Sequence, residues 1–147
     1  YVADHELFII SSVKMFQDKP ILGFGPKMYR EICSDTKYFL SNELWNSCST
    51  HPHNTYLQLI SETGILGFIF IFGIFLFVSY LFFKQFFSKI FSKEFRLSDV
   101  QICLYIAIFI SLFPLATSLN FFNNWINIIY YLPLGFLIST YYVDKEE

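Results

Sequence analysis

Apolar positions are concentrated in the second half of the chain, where three stretches contain no charged residue: Gly64–Phe83, Val100–Leu119 and Ile126–Val143. A hydrocarbon core of roughly 30 Å is crossed by about 20 helical residues, so the first two stretches are long enough and the third is marginal. The runs are continuous rather than alternating, which excludes a membrane β-barrel. The pattern predicts an all-α, polytopic membrane protein with transmembrane helices at 64–83, 100–119 and 126–143.

The distribution of Lys and Arg predicts the orientation of these helices. The loop at 84–99 contains Lys84, Lys89, Lys93 and Arg96, whereas the turn at 120–125 contains no charge. Positively charged short loops remain in the cytoplasm. We therefore expect the basic loop 84–99 and the tail 144–147 on the cytoplasmic side. The turn 120–125 and the large loop 1–63 then lie on the outer face.

Loop 1–63 is polar enough to be solvated, and it contains patterns of short helices. The spacing predicts a loosely periodic helix over His5–Gln17 and a second helix over Asn54–Thr63. Between them, the Pro and Gly spacing of Pro20–Pro26 indicates a turn. Gly64 permits a bend into the first span. We expect the functional site of the protein in this loop.

Composition narrows the class of protein further. Of the 147 residues, 54% are apolar, 22% aromatic and only 15% charged, which excludes a disordered tail and a disulfide-dense secreted scaffold. A net charge of −2 gives no bias toward nucleic acid. No phosphate-binding glycine loop is present, so ATP-driven chemistry has no support. The chain begins at Tyr1 without a signal peptide, and we expect it to be the C-terminal part of a longer protein.

Two polar features of loop 1–63 could support chemistry. His51 and His53, in the run His51-Pro52-His53-Asn54, could act as a general base or hydrogen-bond a phosphate; the alternative is a turn with two surface histidines. Arg30, with Lys27 nearby, could bind phosphate oxygens through its guanidinium fork. The alternative there is a solvated surface arginine.

The cysteines suggest a covalent link within the same loop. Cys33 and Cys48 both lie in the exported segment, where an oxidising compartment favours a disulfide between them. Two alternatives remain at this stage: free thiols, or a zinc site that combines the two cysteines with His51 and His53.

Amide side chains recur after the second predicted span. Asn120, Asn123, Asn124 and Asn127 follow helical spacing, and on one helical face they could hydrogen-bond sugar hydroxyls together with Asn54 and Gln58. The alternative is a capped interhelical turn, anchored by interfacial aromatic residues.

One motif resembles a known family. His53-Asn54, nine residues, Gly64, two residues and Gly67 match the pattern H-[NSQ]-x9-G-x-x-[GTY] of the bacterial O-antigen ligase and polymerase superfamily. The turn Asp18-Lys-Pro-Ile-Leu-Gly-Phe-Gly-Pro26 and the run His51-Pro-His-Asn-Thr-Tyr-Leu-Gln-Leu-Ile-Ser-Glu62 resemble the same family, over roughly residues 5–80.

The resemblance implies a glycosyltransferase of lipopolysaccharide or polysaccharide biosynthesis in the bacterial inner membrane. It would move a glycan from undecaprenyl diphosphate to a hydroxyl of lipid A–core or another glycan acceptor on the periplasmic face, with no cofactor or metal. In this comparison His53 and Arg30 take the catalytic roles of acceptor activation and diphosphate binding. The substrate-binding set is Lys27, His51, Asn54, Gln58, Asn123 and Asn124.

One position departs from the family pattern. Many members have an arginine where this chain has His5, fifteen residues before Pro20. Either the arginine role has moved, a histidine cation replaces it, or the alignment is shifted. Two alternatives to a ligase also stay open: a polymerase of the same superfamily, and a non-enzymatic transporter or structural subunit.

Overall fold

The computed structural model describes residues 2–42, 46–91 and 97–143, and these are helical or irregular, with one isolated β-bridge between Ser41 and Asn46. The predicted all-α class is confirmed for this part of the chain. The helices are α1 (Val2–Asp18), α2 (Tyr29–Ile32), α3 (Thr55–Glu62), α4 (Gly64–Phe91), α5 (Asp99–Ser111) and α6 (Asn124–Val143). They divide between two compact units: unit 1 comprises residues up to 72 and 114–126, and unit 2 comprises 73–113 and residues from 127 onward.

Unit 1 is built on the packing of α1 against α3. Its hydrophobic core combines Phe8 and Met15 of α1 with Tyr29 and Cys33. Tyr38 joins the same core, and its hydroxyl donates a hydrogen bond to the carboxylate of Asp18, the last residue of α1. The predicted helix over 5–17 is therefore present, and its buried face packs against α3 and the core of unit 1.

The turn at residues 20–25 makes backbone contacts with the end of α3 and the start of α4. The Ile65 N–H donates to the Pro20 carbonyl at 2.8 Å, and the Gly25 N–H donates to the Glu62 carbonyl at 2.8 Å. A Cβ atom on Gly23 would overlap the backbone of Glu62, and one on Gly64 would overlap that of Ile21. Both glycines also have φ of +64°, so only glycine fits at either position without strain.

Unit 2 is held by stacked aromatic rings. The ring of Phe109 in α5 stacks on Phe75 and Phe82 of α4, with centroids 5.4 and 5.7 Å apart. Offset stacking of this kind adds roughly 0.5–1.5 kcal/mol per pair beyond the area buried. The chain contains 20 Phe residues, and some of them join α4 to α5 in this way.

One helix in the described residues is long and apolar enough to cross a membrane: the segment Gly64–Ser88 of α4. It contains the first predicted span and extends beyond it. By contrast α5 has 13 residues, which at about 1.5 Å each measure roughly 20 Å and do not cross a core of roughly 30 Å. The prediction of a 20-residue helix over 100–119 is wrong, because α5 ends at Ser111, three residues before Pro114.

Other predicted boundaries shift in the structure. The loop predicted at 84–99 is helical up to Phe91 as the end of α4, while 92–96 and the tail 144–147 lie outside the described residues. Helix α6 has 20 residues, contains the third predicted span and has Pro133 inside it. Because one helix among the described residues is identified as long and apolar enough to cross a membrane, a multi-pass arrangement stays a prediction.

The segment 112–123 is irregular rather than a membrane helix followed by a short turn. Residues 114–121 instead form hydrogen bonds with four side chains at the start of α3 and in the loop before it: His51, Asn54, Thr55 and Gln58. The proposed amide face is also corrected, since α6 begins at Asn124. Asn120 and Asn123 precede the helix, and only Asn124 and Asn127 lie in it.

Candidate functional site

The site is organised around the N-terminus of α3. Asn54 is the N-cap residue, and its Oδ1 accepts hydrogen bonds from the N–H groups of Tyr56 and Leu57. Its Nδ2 donates to the carbonyls of Pro114 and Ala116, at 2.8 and 3.4 Å. The Oδ1 atom therefore caps the N-terminus of α3, as asparagine commonly does. The Nδ2 group fixes the segment 114–116 beside the helix. Both of its polar atoms are engaged within the fold.

His51 is buried, with partners on both ring nitrogens. Nε2 lies 3.2 Å from the Ser118 carbonyl and Nδ1 lies 2.9 Å from the Thr50 hydroxyl. A carbonyl only accepts, so Nε2 carries the proton and Nδ1 accepts from Thr50. Burial is the main cause that lowers the pKa of His51, and the charges of His53 and Arg30 lower it further. His51 is thus held as a neutral ring that positions the loop.

His53 has a different environment, although its ring centroid is only 4.3 Å from that of His51. Its φ is +54°, a strained backbone region for a residue other than glycine, and one that is often found at functional sites. Its carbonyl accepts from the Ser118 N–H at 3.0 Å, and its ring packs on Phe8 of α1 with centroids 5.3 Å apart. These contacts hold the ring half-buried at the junction of α1 and the loop.

One nitrogen of His53 remains available. Nε2 lies 3.3 Å from the Ser49 hydroxyl, and Nδ1 has no hydrogen-bond partner within the described part of the chain. When Nε2–H donates to Ser49, the lone pair on Nδ1 is free to take a proton. Burial lowers the pKa of His53, and the charge of His5 lowers it further, so the ring is neutral at pH 7 and able to act as a base.

Arg30 lies on the exposed side of α2. Its charge lowers the pKa of both His51 and Glu62, and the ring centroid of His51 lies 4.3 Å from that of His53. The charge of His5, in α1, lowers the pKa of His53. Arg30 and His5 therefore act electrostatically on the two histidines of the loop before α3. The guanidinium of Arg30 favours an anion.

Glu62 is a feature that the sequence analysis did not single out. It is fully buried. Its Oε1 accepts from the Tyr29 N–H at 2.8 Å, and its Oε2 accepts from the Lys27 N–H and from Gln58 Nε2, each at 2.9 Å. Burial raises the pKa of Glu62, while these hydrogen bonds and Arg30 oppose the rise. The sequence shows only an acidic residue in the motif; the structure adds its burial, and charged groups are almost never fully buried without partners.

Gln58 links the same carboxylate to the second segment of unit 1. Nε2 also donates to Asn120 Oδ1 at 2.9 Å, and Oε1 accepts from the Phe121 N–H at 2.9 Å. Gln58 is fully buried and Asn120 nearly so. Gln58 and Glu62 of α3 therefore belong to an internal hydrogen-bond network, and Gln58 has no polar atom left for a substrate.

The remaining predicted substrate contacts divide by exposure. Lys27, Asn123 and Asn124 are exposed, so their side chains are accessible to a ligand. Lys27 has φ of +64°, which turns its N–H toward Glu62. Their role in binding remains a prediction.

A disulfide connects the two sides of the site. Cys33 and Cys48 are bonded, with Cα atoms 5.1 Å apart. Cys33 follows Arg30 by three residues and Cys48 precedes His51 by three, so the bond ties the arginine segment to the histidine loop. A disulfide sulfur does not ligate zinc as a thiolate does, and among the described residues no three His, Cys, Asp or Glu groups form a metal-binding cluster.

Comparison with known proteins identifies this arrangement. The family model described as O-antigen ligase matches residues 6–72, which contain α1, α2, α3 and the start of α4. This segment is similar to the O-antigen ligase family. The resemblance that the motif predicts is confirmed, and His53, Asn54, Gly64 and Gly67 all lie inside the matched range.

Curated relatives agree with the O-antigen ligase assignment. Proteins of Rickettsia felis and Rickettsia conorii are each 36% identical over 86 residues, and one of Rickettsia bellii is 31% identical over 86 residues. All three have names that provisionally assign them as polysaccharide ligases. The match covers 56% of this chain and 20% of each relative, so the chain spans about a fifth of their length. No solved structure matches the chain.

Proposed function

We propose that this chain is the part of a membrane glycosyltransferase that activates the acceptor and binds the diphosphate of the donor. The reaction moves a glycan from an undecaprenyl-diphosphate carrier to a hydroxyl of lipid A–core or another glycan acceptor, on the periplasmic face of the inner membrane. Support comes from the O-antigen ligase family match. It also comes from one observation in unit 1: His53 keeps Nδ1 without a partner among the described residues, next to His51, whose pKa the charge of Arg30 lowers.

His53 and Arg30 supply complementary chemistry. His53 Nδ1 accepts the proton as the acceptor hydroxyl attacks the anomeric carbon, because its lowered pKa keeps the ring neutral. The glycosidic bond to the carrier breaks at the same time, and the undecaprenyl diphosphate departs with the negative charge. Arg30 stabilises that charge through its planar fork. His51 and Asn54 hold the loop in place and do not contact the reacting atoms.

The test compares variants of the full-length protein in membranes, with an undecaprenyl-diphosphate-linked glycan as donor. His53→Ala removes the base, so we expect transfer to fall by about 100-fold or more. Arg30→Gln removes the guanidinium, so we expect the donor KM to rise. Lys37→Gln is the matched control, because Lys37 is an exposed cation whose side chain pairs with Asp18 at the far end of α1.

Two results would contradict this proposal. An inserted, stable His53→Ala protein with wild-type transfer would exclude the base. An Arg30→Gln protein with the donor KM of the Lys37→Gln control would exclude the diphosphate contact.

A further inference from the structure

One side chain binds two backbone N–H groups of the segment before Arg30. Helix α2 has only four residues, and its N-cap residue Met28 makes no side-chain cap hydrogen bond. Its first N–H, that of Tyr29, is instead bound by Glu62 from α3. The N–H of Lys27 is bound by the same carboxylate. The backbone that carries Arg30 is thus fastened to the helix that follows His53.

We propose that Glu62 is a positioning residue, which holds the backbone of 27–29 against α3 so that Arg30 and His53 stay on one surface. The inference rests on the proposed function for its consequence in glycan transfer. The clamp itself is defined by three hydrogen bonds, from Lys27 N–H, Tyr29 N–H and Gln58 Nε2.

The pattern of donors requires a carboxylate. All three partners of Glu62 are N–H donors, and they occupy both of its oxygens. A glutamine has one oxygen and one NH₂ group, so in either orientation its NH₂ faces at least one N–H donor. Neither flip restores the clamp, although the side chain has the same size and shape.

Burial of the Glu62 carboxylate costs stability, so its contribution is the position of the backbone that it binds. The pKa of Glu62 is raised above its ordinary value, so ionisation at pH 7 opposes folding. An apolar or neutral residue would avoid this cost, but it would not bind two backbone N–H groups of a loop with φ of +64° at Lys27.

A second link of the network reaches the segment 114–126. Gln58, which donates to Glu62, also binds Asn120 and the Phe121 N–H. The clamp is therefore fixed on both sides, and Glu62 has no freedom to follow a displaced loop. Packing of this kind is what holds a binding group in a productive geometry.

The first experiment measures the clamp directly, in the full-length protein. We expect Glu62→Gln to increase amide hydrogen exchange in residues 27–30 relative to wild type. Glu31→Gln is the matched control, because Glu31 is an exposed glutamate next to Arg30 and should leave the exchange unchanged. Unchanged exchange in Glu62→Gln would overturn the proposal, whatever the activity.

The second experiment asks whether the clamp acts through Arg30. A misplaced contact group can cost up to about 100-fold, so we expect Glu62→Gln to raise the donor KM by about 10- to 100-fold, with a smaller change in kcat. The double variant Arg30→Gln/Glu62→Gln should bind donor no more weakly than Arg30→Gln alone, since coupled residues are not additive.

The two proposals fail in different ways. Additive effects in the double variant, or an unchanged donor KM in Glu62→Gln, would overturn the positioning role. If instead Arg30→Gln itself has no effect on donor KM, the diphosphate role of the proposed function fails while the exchange result still stands.

Discussion

Two histidines separated by one residue differ completely in what they can do. His51 has partners on both nitrogens, whereas His53 keeps Nδ1 free in the described part of the chain. The difference is made by Ser118, which lies 67 residues from His51 along the chain. Residue types alone place both histidines at the site, and only the long-range contact distinguishes a base from a support.

The lowered pKa of His53 predicts the pH dependence of transfer. The base is active when neutral, so activity is present above the folded pKa and is lost as the pH falls through it. Because this pKa lies below the ordinary value of 6.5, the acid limb of kcat/KM should lie below pH 6.5. A pH–rate profile of the full-length protein checks this.

His5 provides a matched test of the cause. Its charge lowers the pKa of His53, so His5→Gln should move the acid limb to higher pH. The comparison uses the pH at which the acid limb falls, and not the value of kcat at the plateau. An acid limb above pH 6.5 in wild type, or one that does not move in His5→Gln, would contradict the assignment of the limb to His53.

At the scale of elements, the crossing of the turn 20–25 with the start of α4 explains why the motif contains glycine. The sequence predicts the turn and the bend at Gly64, since Pro and Gly punctuate both. It does not show that the two bends touch each other. The close approach of Gly23 to the backbone of Glu62 joins residues that are far apart in the sequence, so no local pattern indicates it.

We expect Gly64→Ala to destabilise the protein strongly. The positive φ alone costs an alanine about 1–2 kcal/mol, and overlap with the Ile21 backbone adds to it. Gly73→Ala is the control in the same helix, because a Cβ there meets open space and should be neutral or stabilising by about 0.5–1 kcal/mol. Thermal unfolding in detergent compares the two, and equal melting temperatures would contradict the backbone crossing.

The helices themselves were predictable to different degrees. Helix α3 and the first span of α4 follow from a capping asparagine and an unbroken apolar run. The end of α5 did not follow, because apolar residues continue past Ser111 to Leu119 although the chain leaves the helix. Their carbonyls instead accept hydrogen bonds from the side chains of Asn54, at Pro114 and Ala116, and of His51, at Ser118. Carbonyl contacts of this kind leave no pattern in a sequence.

At the scale of the whole molecule, the candidate site lies within one of the two units. The O-antigen ligase match ends at residue 72, which is also where the first segment of unit 1 ends. The histidine pair and Arg30 were predictable as candidates from this segment. Glu62 and Ser118 were not, because a buried carboxylate and a backbone carbonyl become informative only when their partners are known.

The disulfide predicts how the whole protein responds to reduction. A closed loop of about 15 residues contributes about 3 kcal/mol by loop entropy, so Cys33→Ser should lower the free energy of unfolding by about that amount. Cys103→Ser is the control, since its thiol is free. Thermal unfolding with and without dithiothreitol measures the effect. A Cys33→Ser protein that is still destabilised by dithiothreitol would show that another bond is responsible.

The contact of the histidine loop with Ser118 also sets the order of events during synthesis. The ribosome makes His53 first, then all of α4 and α5, and only afterwards the segment 114–121 that binds the loop, Asn54 and Gln58. At about 5–20 residues per second, the nascent motif waits for several seconds without these partners. The site is therefore completed late, and a chain truncated after α5 would contain the whole recognisable motif yet lack the contacts that hold its histidines in place.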